Sequence, residues 1–291
     1  MITRSIYIIP FLMLVLVFTE GCSSSPKQVE APGSTDLTEV REQQMDSSPR
    51  PKAGTTTTTI PMAPVVTAAG VSPRSVLSDA IKSNNNEEVA RVCFSLLSVN
   101  SKDIYALNAL AVIYYKRGEF TAAQMMLERA LKENSKSSDL YNNMGLVKLG
   151  MNESREAIKY FRKALTYNPN DSIAAANIGA LYLREKEYGK GLIAMEIAAA
   201  KLKDNRVMMN YAIALVANRK FEKAEGIYQF LLRNTTSDLD IMFNYSILLI
   251  DHLGKNQEGL DLVNKVKFLG PSSEMKNKIV SLENKAKAGL K

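Results

Sequence analysis

The chain has 291 residues, with 37 basic and 30 acidic side chains for a net charge of +7. Its one histidine, His252, excludes histidine-pair metal sites, and its two cysteines, Cys22 and Cys93, lie too far apart in role to form a disulfide within one folded body. Any folded part therefore stands on packing alone, and the length allows one or two domains.

The chain opens with Arg4 and an apolar stretch of 14 residues from Ser5 to Phe18. As a helix at about 1.5 Å per residue it would reach roughly 21 Å, short of the ~30 Å hydrocarbon core, so residues 1–22 read as a signal peptide and not as a spanning anchor. Thr19-Glu20-Gly21-Cys22 follows, then Ser23-Ser24-Ser25. A small residue directly before a cysteine at this place resembles the lipobox of bacterial lipoproteins, although Thr19 stands where leucine is usual and Glu20 is an uncommon neighbour. The resemblance implies lipidation of Cys22. Ser23 after it, in place of aspartate, is similar to the pattern of lipoproteins sent to the outer membrane and facing the periplasm. Several acyl chains would hold firmly where one binds marginally, because each buried methylene contributes about 0.8 kcal/mol.

Residues 23–72 contain no aromatic residue, and 21 of the 50 positions are Pro, Ser or Thr. Such a segment has too little apolar surface to offset the entropy of ordering it, so it is predicted to be a disordered tether with a reach of roughly 40 Å. The remaining 73–291 segment holds 32 basic and 24 acidic residues. That excess suits either a solvated helical surface or an acidic partner. No nucleic-acid motif accompanies it, and the basic residues read as scattered except near the end, at Lys276, Lys278, Lys285, Lys287 and Lys291.

The body repeats itself. Small residues recur as Ala111, Gly145, Gly179, Ala212 and Ser246 and as Ala123, Ala157, Gly191, Ala224 and Gly259, and a third column runs Ala130, Ala164, Ala198, Leu231 and Val266. A bulky column runs Cys93, Leu127, Phe161, Met195, Tyr228 and Val263 between them. Small side chains at fixed intervals mark places where helices cross closely, and bulky ones fill the space between. Within 138–171, Tyr141, Met144-Gly145, Ala157, Phe161, Ala164 and Pro169 occupy the spacing of the tetratricopeptide repeat (TPR), with Lys148 the one departure. The resemblance implies an all-α TPR solenoid, a right-handed superhelix of antiparallel helix pairs. Its repeats fall at 104–137, 138–171, 172–204, 205–238 and 239–272, after a partial repeat at 73–103. One extra residue near Leu253-Gly254 is expected to lengthen the turn inside the fifth repeat. A capping helix follows at 273–288, started by Ser272 or Ser273 and carrying Met275, Ile279 and Leu282 on one side.

The first helix of each pair is expected to line a groove. There Asn143, Asn177, Asn210 and Asn244 recur directly before the Met/Ile/Tyr and small-residue pair, with Asn108 and Asn142 one place earlier. An amide can pair with a peptide backbone irrespective of sequence, and in peptide-binding TPR proteins this column does so. It can equally tie neighbouring helices together, and both readings stand. Lys116, Arg184 and Arg206 sit one turn to either side, as in carboxylate-clamp TPRs, but Gly150, Ala217 and Asp251 occupy the equivalent places elsewhere, so the clamp is incomplete.

No phosphate-binding loop, zinc-protease or serine-hydrolase motif is present, and Cys93 falls in the core column. Glu153, Glu156 and Glu185 read as carboxylates scattered over solvent faces. The chain is expected to have no catalytic activity, cofactor or metal, and to bind protein partners and a membrane but no nucleic acid. Leader, lipobox-like cysteine, tether and solenoid together resemble TPR lipoproteins of Gram-negative envelope machines, such as the pilotins of type IV pili, TadD of tight-adherence pili and TPR proteins of gliding machinery. That implies an envelope scaffold for pilus, secretion or gliding assembly. The alternatives are a non-catalytic recruiter or regulator of cell-wall enzymes, or a periplasmic chaperone.

Overall fold

The structure, a computed structural model, describes residues 73–82, 85–235 and 237–290; the leader, Cys22 and the tether lie outside the described residues. Among the described residues there are 13 α-helices and no strand. A first pair, α1 (Pro73–Lys82) and α2 (Asn86–Val99), precedes the full repeats. The repeats are α3 (Ile104–Lys116) with α4 (Phe120–Glu133), then α5 (Ser138–Gly150) with α6 (Ser154–Tyr167). Next come α7 (Ser172–Arg184) with α8 (Tyr188–Lys201), and α9 (Asn205–Ala217) with α10 (Phe221–Asn234). In the last pair α11 (Leu239–Ile247) is followed by α12 (Asn256–Leu269), and α13 (Ser273–Ala288) closes the series. Each helix packs on its neighbours in the chain, and the first helices of successive repeats, α3 with α5, α5 with α7 and α7 with α9, also touch. This is the expected all-α solenoid of paired helices.

Two periodic devices set the helix boundaries. Every first helix is started by a side-chain cap from the last position of the repeat before it: Asp103, Ser137, Asp171, Asp204 and Asp238 each accept from backbone N–H groups of the first turn. The capping carboxylates also place negative charge at the positive end of the helix dipole. In the five full repeats the second helix lacks such a cap and is entered through a tight turn with one left-handed residue, Gly118, Asn152, Lys186, Arg219 or Gly254. In the first four turns the N–H following that residue donates to a carbonyl five positions back, as Glu119 does to Tyr114 at 2.9 Å and Glu153 to Lys148 at 2.8 Å. The freed carbonyls of the first helix are thereby satisfied.

The small-residue columns lie in the core. A Cβ on Gly145 would stand 2.5 Å from the Phe161 ring, and one on Gly179 would stand 2.9 Å from Met195 Cε, so the bulky column of one helix fills the notch left by the small column of another. Phe161 and Tyr228 are fully buried, and burial of each such side chain contributes about 1.5–3 kcal/mol. Cys93 is equally buried, and desolvation pushes its thiol up to about 12, so it remains an uncharged core residue.

The fifth repeat departs from expectation in one detail. The extra residue does not lengthen the turn. Gly254 keeps the left-handed place, and the insertion is taken up in the helix before it as one π-turn, Leu248–His252, in which Leu253 N–H donates to Leu248 O at 3.1 Å. Leu248, Leu249 and Ile250 stay buried, which a longer loop would not have allowed. His252 stacks on Phe221 with ring centroids 4.6 Å apart. The final helix is capped by Ser272, whose Oγ accepts from Met275 N–H at 3.3 Å, and buries Met275, Ile279, Leu282 and Ala286.

Candidate functional site

The asparagines of the first helices form a partial ladder. Asn143 Nδ2 donates to Asn108 Oδ1 at 2.8 Å, joining α5 to α3. Asn177 Nδ2 donates to Asn142 Oδ1 at the same distance, joining α7 to α5. Each rung thus pairs the column asparagine of one repeat with the residue one place before the column in the preceding repeat. Asn142 and Asn143 are fully buried and Asn108 is half-buried.

The ladder stops where its second partner is missing. The residue before Asn177 is Ala176, and the residue before Asn210 is Met209, so neither offers an amide to the next repeat. Asn244 accordingly turns along its own helix and donates to Asp240 O at 2.8 Å. Asn210 is 8% exposed, and its Oδ1 accepts no hydrogen bond among the described residues. A buried acceptor left without a donor costs on the order of 1–3 kcal/mol, so this amide, which is not tied to a neighbouring first helix, can take a donor from outside. The two readings of the column therefore separate by position: bracing at Asn108, Asn142, Asn143 and Asn177, and an open acceptor at Asn210. The signal was present in the sequence, in the change from Asn108 and Asn142 to Ala176 and Met209.

The basic residues expected beside the column are not gathered around it. Arg184 turns toward the inter-helix turns, donating through Nη2 to Ser154 Oγ at 2.7 Å and approaching Glu185 at 3.7 Å. Arg206 lies 3.7 Å from Asp204, and Lys116 is exposed at the end of α3. The carboxylates read as scattered are in fact gathered: Glu153, Glu156, Glu185 and Glu187 share the lining of one surface depression of about 600 Å³ with Arg155. Repeat geometry causes this, since Glu153 and Glu187 hold the same place, just before the second helix, in consecutive repeats.

The family model of the tetratricopeptide repeat matches residues 138–171, and a second tetratricopeptide-repeat model matches residues 104–133. The chain is 31% identical over 115 residues to the photosystem I assembly protein Ycf3 of Synechococcus, a match covering 38% of this chain and 66% of that one. It is 29% identical over 94 residues to the type IV pilus assembly protein PilF of Pseudomonas aeruginosa, covering 32% and 37%. Among solved structures it resembles YrrB, described as a TPR protein with an unusual peptide-binding site, with a TM-score of 0.58, 16% identity, and coverage of 68% of this chain and 99% of that one. That likeness concerns the fold. The chain spans less than two thirds of the length of the curated relatives it matches.

Proposed function

We propose that this chain of tetratricopeptide repeats is a membrane-tethered scaffold that holds protein partners along the first-helix side of its repeats during assembly of an envelope machine. The observation that carries the reading is the orphaned Oδ1 of Asn210. A peptide N–H laid along the first helices would donate to that oxygen, a peptide carbonyl could take the Nδ2 hydrogen for which Ala176 offers no acceptor, and the surrounding column already presents amides at a repeat-length spacing. Asn244 flanks it in the next repeat, whereas Asn142, Asn143 and Asn177 act as braces between the first helices.

The names of Ycf3 and PilF both record roles in assembly, and the PilF likeness favours an envelope machine of the pilus kind. The lipobox-like Thr19-Glu20-Gly21-Cys22 supports attachment to the outer membrane through an acylated Cys22, with residues 23–72 as the tether. The test is affinity capture from detergent-solubilised membranes with the native chain and with Asn210→Ala. Pilus, secretin or gliding subunits lost from the Asn210→Ala sample support the proposal. Capture of peptidoglycan synthases or hydrolases would point to recruitment of cell-wall enzymes. Cys22→Ser should release the chain into the soluble fraction; unchanged retention would count against the lipid anchor.

A further inference from the structure

The second helices carry their charge unevenly. Helices α4, α10 and α12 each hold two acidic and two basic residues, whereas α6 holds Arg155, Lys159, Arg162 and Lys163 against Glu156 alone, and α8 holds Lys190 and Lys201 against Glu196. Both α6 and α8 pack on α7, and a cleft of about 350 Å³ lies between them. Its apolar lining includes Leu165 of α6, Ile178 and Tyr182 of α7, and Ala194 and Ile197 of α8. Ile193, on the cleft's wall, is 65% exposed and carries the apolar lining out to the surface.

Two cations stand at this cleft. Arg162 is exposed and has no acidic partner among the described residues, and Lys190 lies 5.6 Å from the centre of the Tyr182 ring. Lys190 also pairs with Glu187, but that pair is largely solvent-exposed, and such pairs contribute little and exchange readily. Arg162 is close enough to Lys190 to repel its charge. An apolar slot with two converging positive charges, on the helices that concentrate the basic excess of the repeats, matches a ligand that is both acidic and locally apolar.

We propose that the cleft between α6 and α8, on the second-helix side, docks an acidic peptide segment that inserts one bulky apolar side chain. The apolar side chain covers Leu165, Ile193 and Ile197, and a flanking carboxylate takes a charge-assisted hydrogen bond from Arg162. The site is separate from the asparagine column, so its failure and that of the first-helix groove are distinguishable. A surface that merely attracted polyanions would need the charges and not the slot.

The test uses the full chain in non-ionic detergent, applied to an array of short synthetic peptides in which acidic content and one central residue vary independently. Retention should require both acidic residues and a bulky apolar centre. Arg162→Gln should remove about tenfold of the gain from acidic residues, and Ile193→Ser should remove the preference for the bulky centre; both positions are exposed, and circular dichroism checks that helicity is kept. Three results would overturn the proposal. One is retention that follows acidity alone and is matched by anionic phospholipid vesicles. Another is retention unaffected by either variant but lost with Asn210→Ala. The last is no retention at all.

Discussion

Asn177 donates its Nδ2 hydrogen to Oδ1 of Asn142 at 2.8 Å, and that one bond ties the first helix of the third repeat to the first helix of the second. Both side chains are buried, so removing either leaves the other without a partner in a place that water does not reach. Asn177→Ala should therefore lower stability by about 1–3 kcal/mol. Asn210→Ala orphans no known partner of its Oδ1 and should leave stability close to native while weakening partner capture. Urea titrations of the two variants check this. Equal losses would mean that the amide at 210 is a brace like the others.

The glycines predict opposite signs for the same substitution. At Gly145 an added methyl group meets the Phe161 ring at 2.5 Å, a contact that one of the two helices must yield to. Overpacking of this kind costs about 1–3 kcal/mol, more than the roughly 1 kcal/mol that alanine gains over glycine within a helix. At Gly226, inside α10, nothing lies within 4 Å of the added carbon. Gly145→Ala should thus destabilise, and Gly226→Ala should stabilise by about 0.5–1 kcal/mol. Thermal melts followed by circular dichroism decide it; a matching sign at both positions would refute the close-crossing account of the small columns.

The columns were legible because packing constrains side-chain size at a fixed period: Gly145 and Gly179 are small since Phe161 and Met195 must pass beside them. What the sequence did not yield were features that depend on which neighbour a residue meets. The asparagines look alike in one dimension, and only the residue across the repeat boundary, Asn142 or Ala176, decides whether an amide is spent on bracing. The insertion in the fifth repeat was expected at Leu253-Gly254. The turn's left-handed geometry is more restrictive than a buried helix end, and so the helix absorbed the residue at Leu248–His252. Arg162 and Lys190 lie 28 positions apart, and nothing in a count of scattered charges brings them to one cleft.

The turns between paired helices offer a third test. Lys186 and Arg219 adopt φ of 61° and 60°, the left-handed region that Gly118 and Gly254 occupy in equivalent turns. A side chain there costs about 1–2 kcal/mol, of which the greater freedom of glycine in the unfolded chain offsets only part. Lys186→Gly should stabilise the protein by roughly 0.5–1 kcal/mol, and Lys186→Val should destabilise it, since a β-branched residue tolerates this region least. Chemical denaturation of the pair reads both effects; stabilisation by valine would mean that the turn is not left-handed in solution.

The last helix is held down by charge as well as by packing. Glu283 of α13 accepts from Lys267 of α12 and from Lys287 one turn on, both at 2.6 Å, and these hydrogen bonds hold its carboxyl down at about 2, against an ordinary value of 4.5. A carboxylate whose folded value is depressed adds stability that is complete above its unfolded value and is lost as the pH falls through its folded one. The contribution should therefore be constant above about pH 5 and decline between pH 4.5 and pH 2. Glu283→Gln removes it at every pH. The gap in urea midpoint between the native chain and Glu283→Gln should stay level at neutral pH and close progressively toward pH 2. Asp251, paired with Lys285 at 2.6 Å, is present in both proteins and cancels from the difference. A gap that persists unchanged at pH 2 would show that Glu283 contributes through packing and not through its charge.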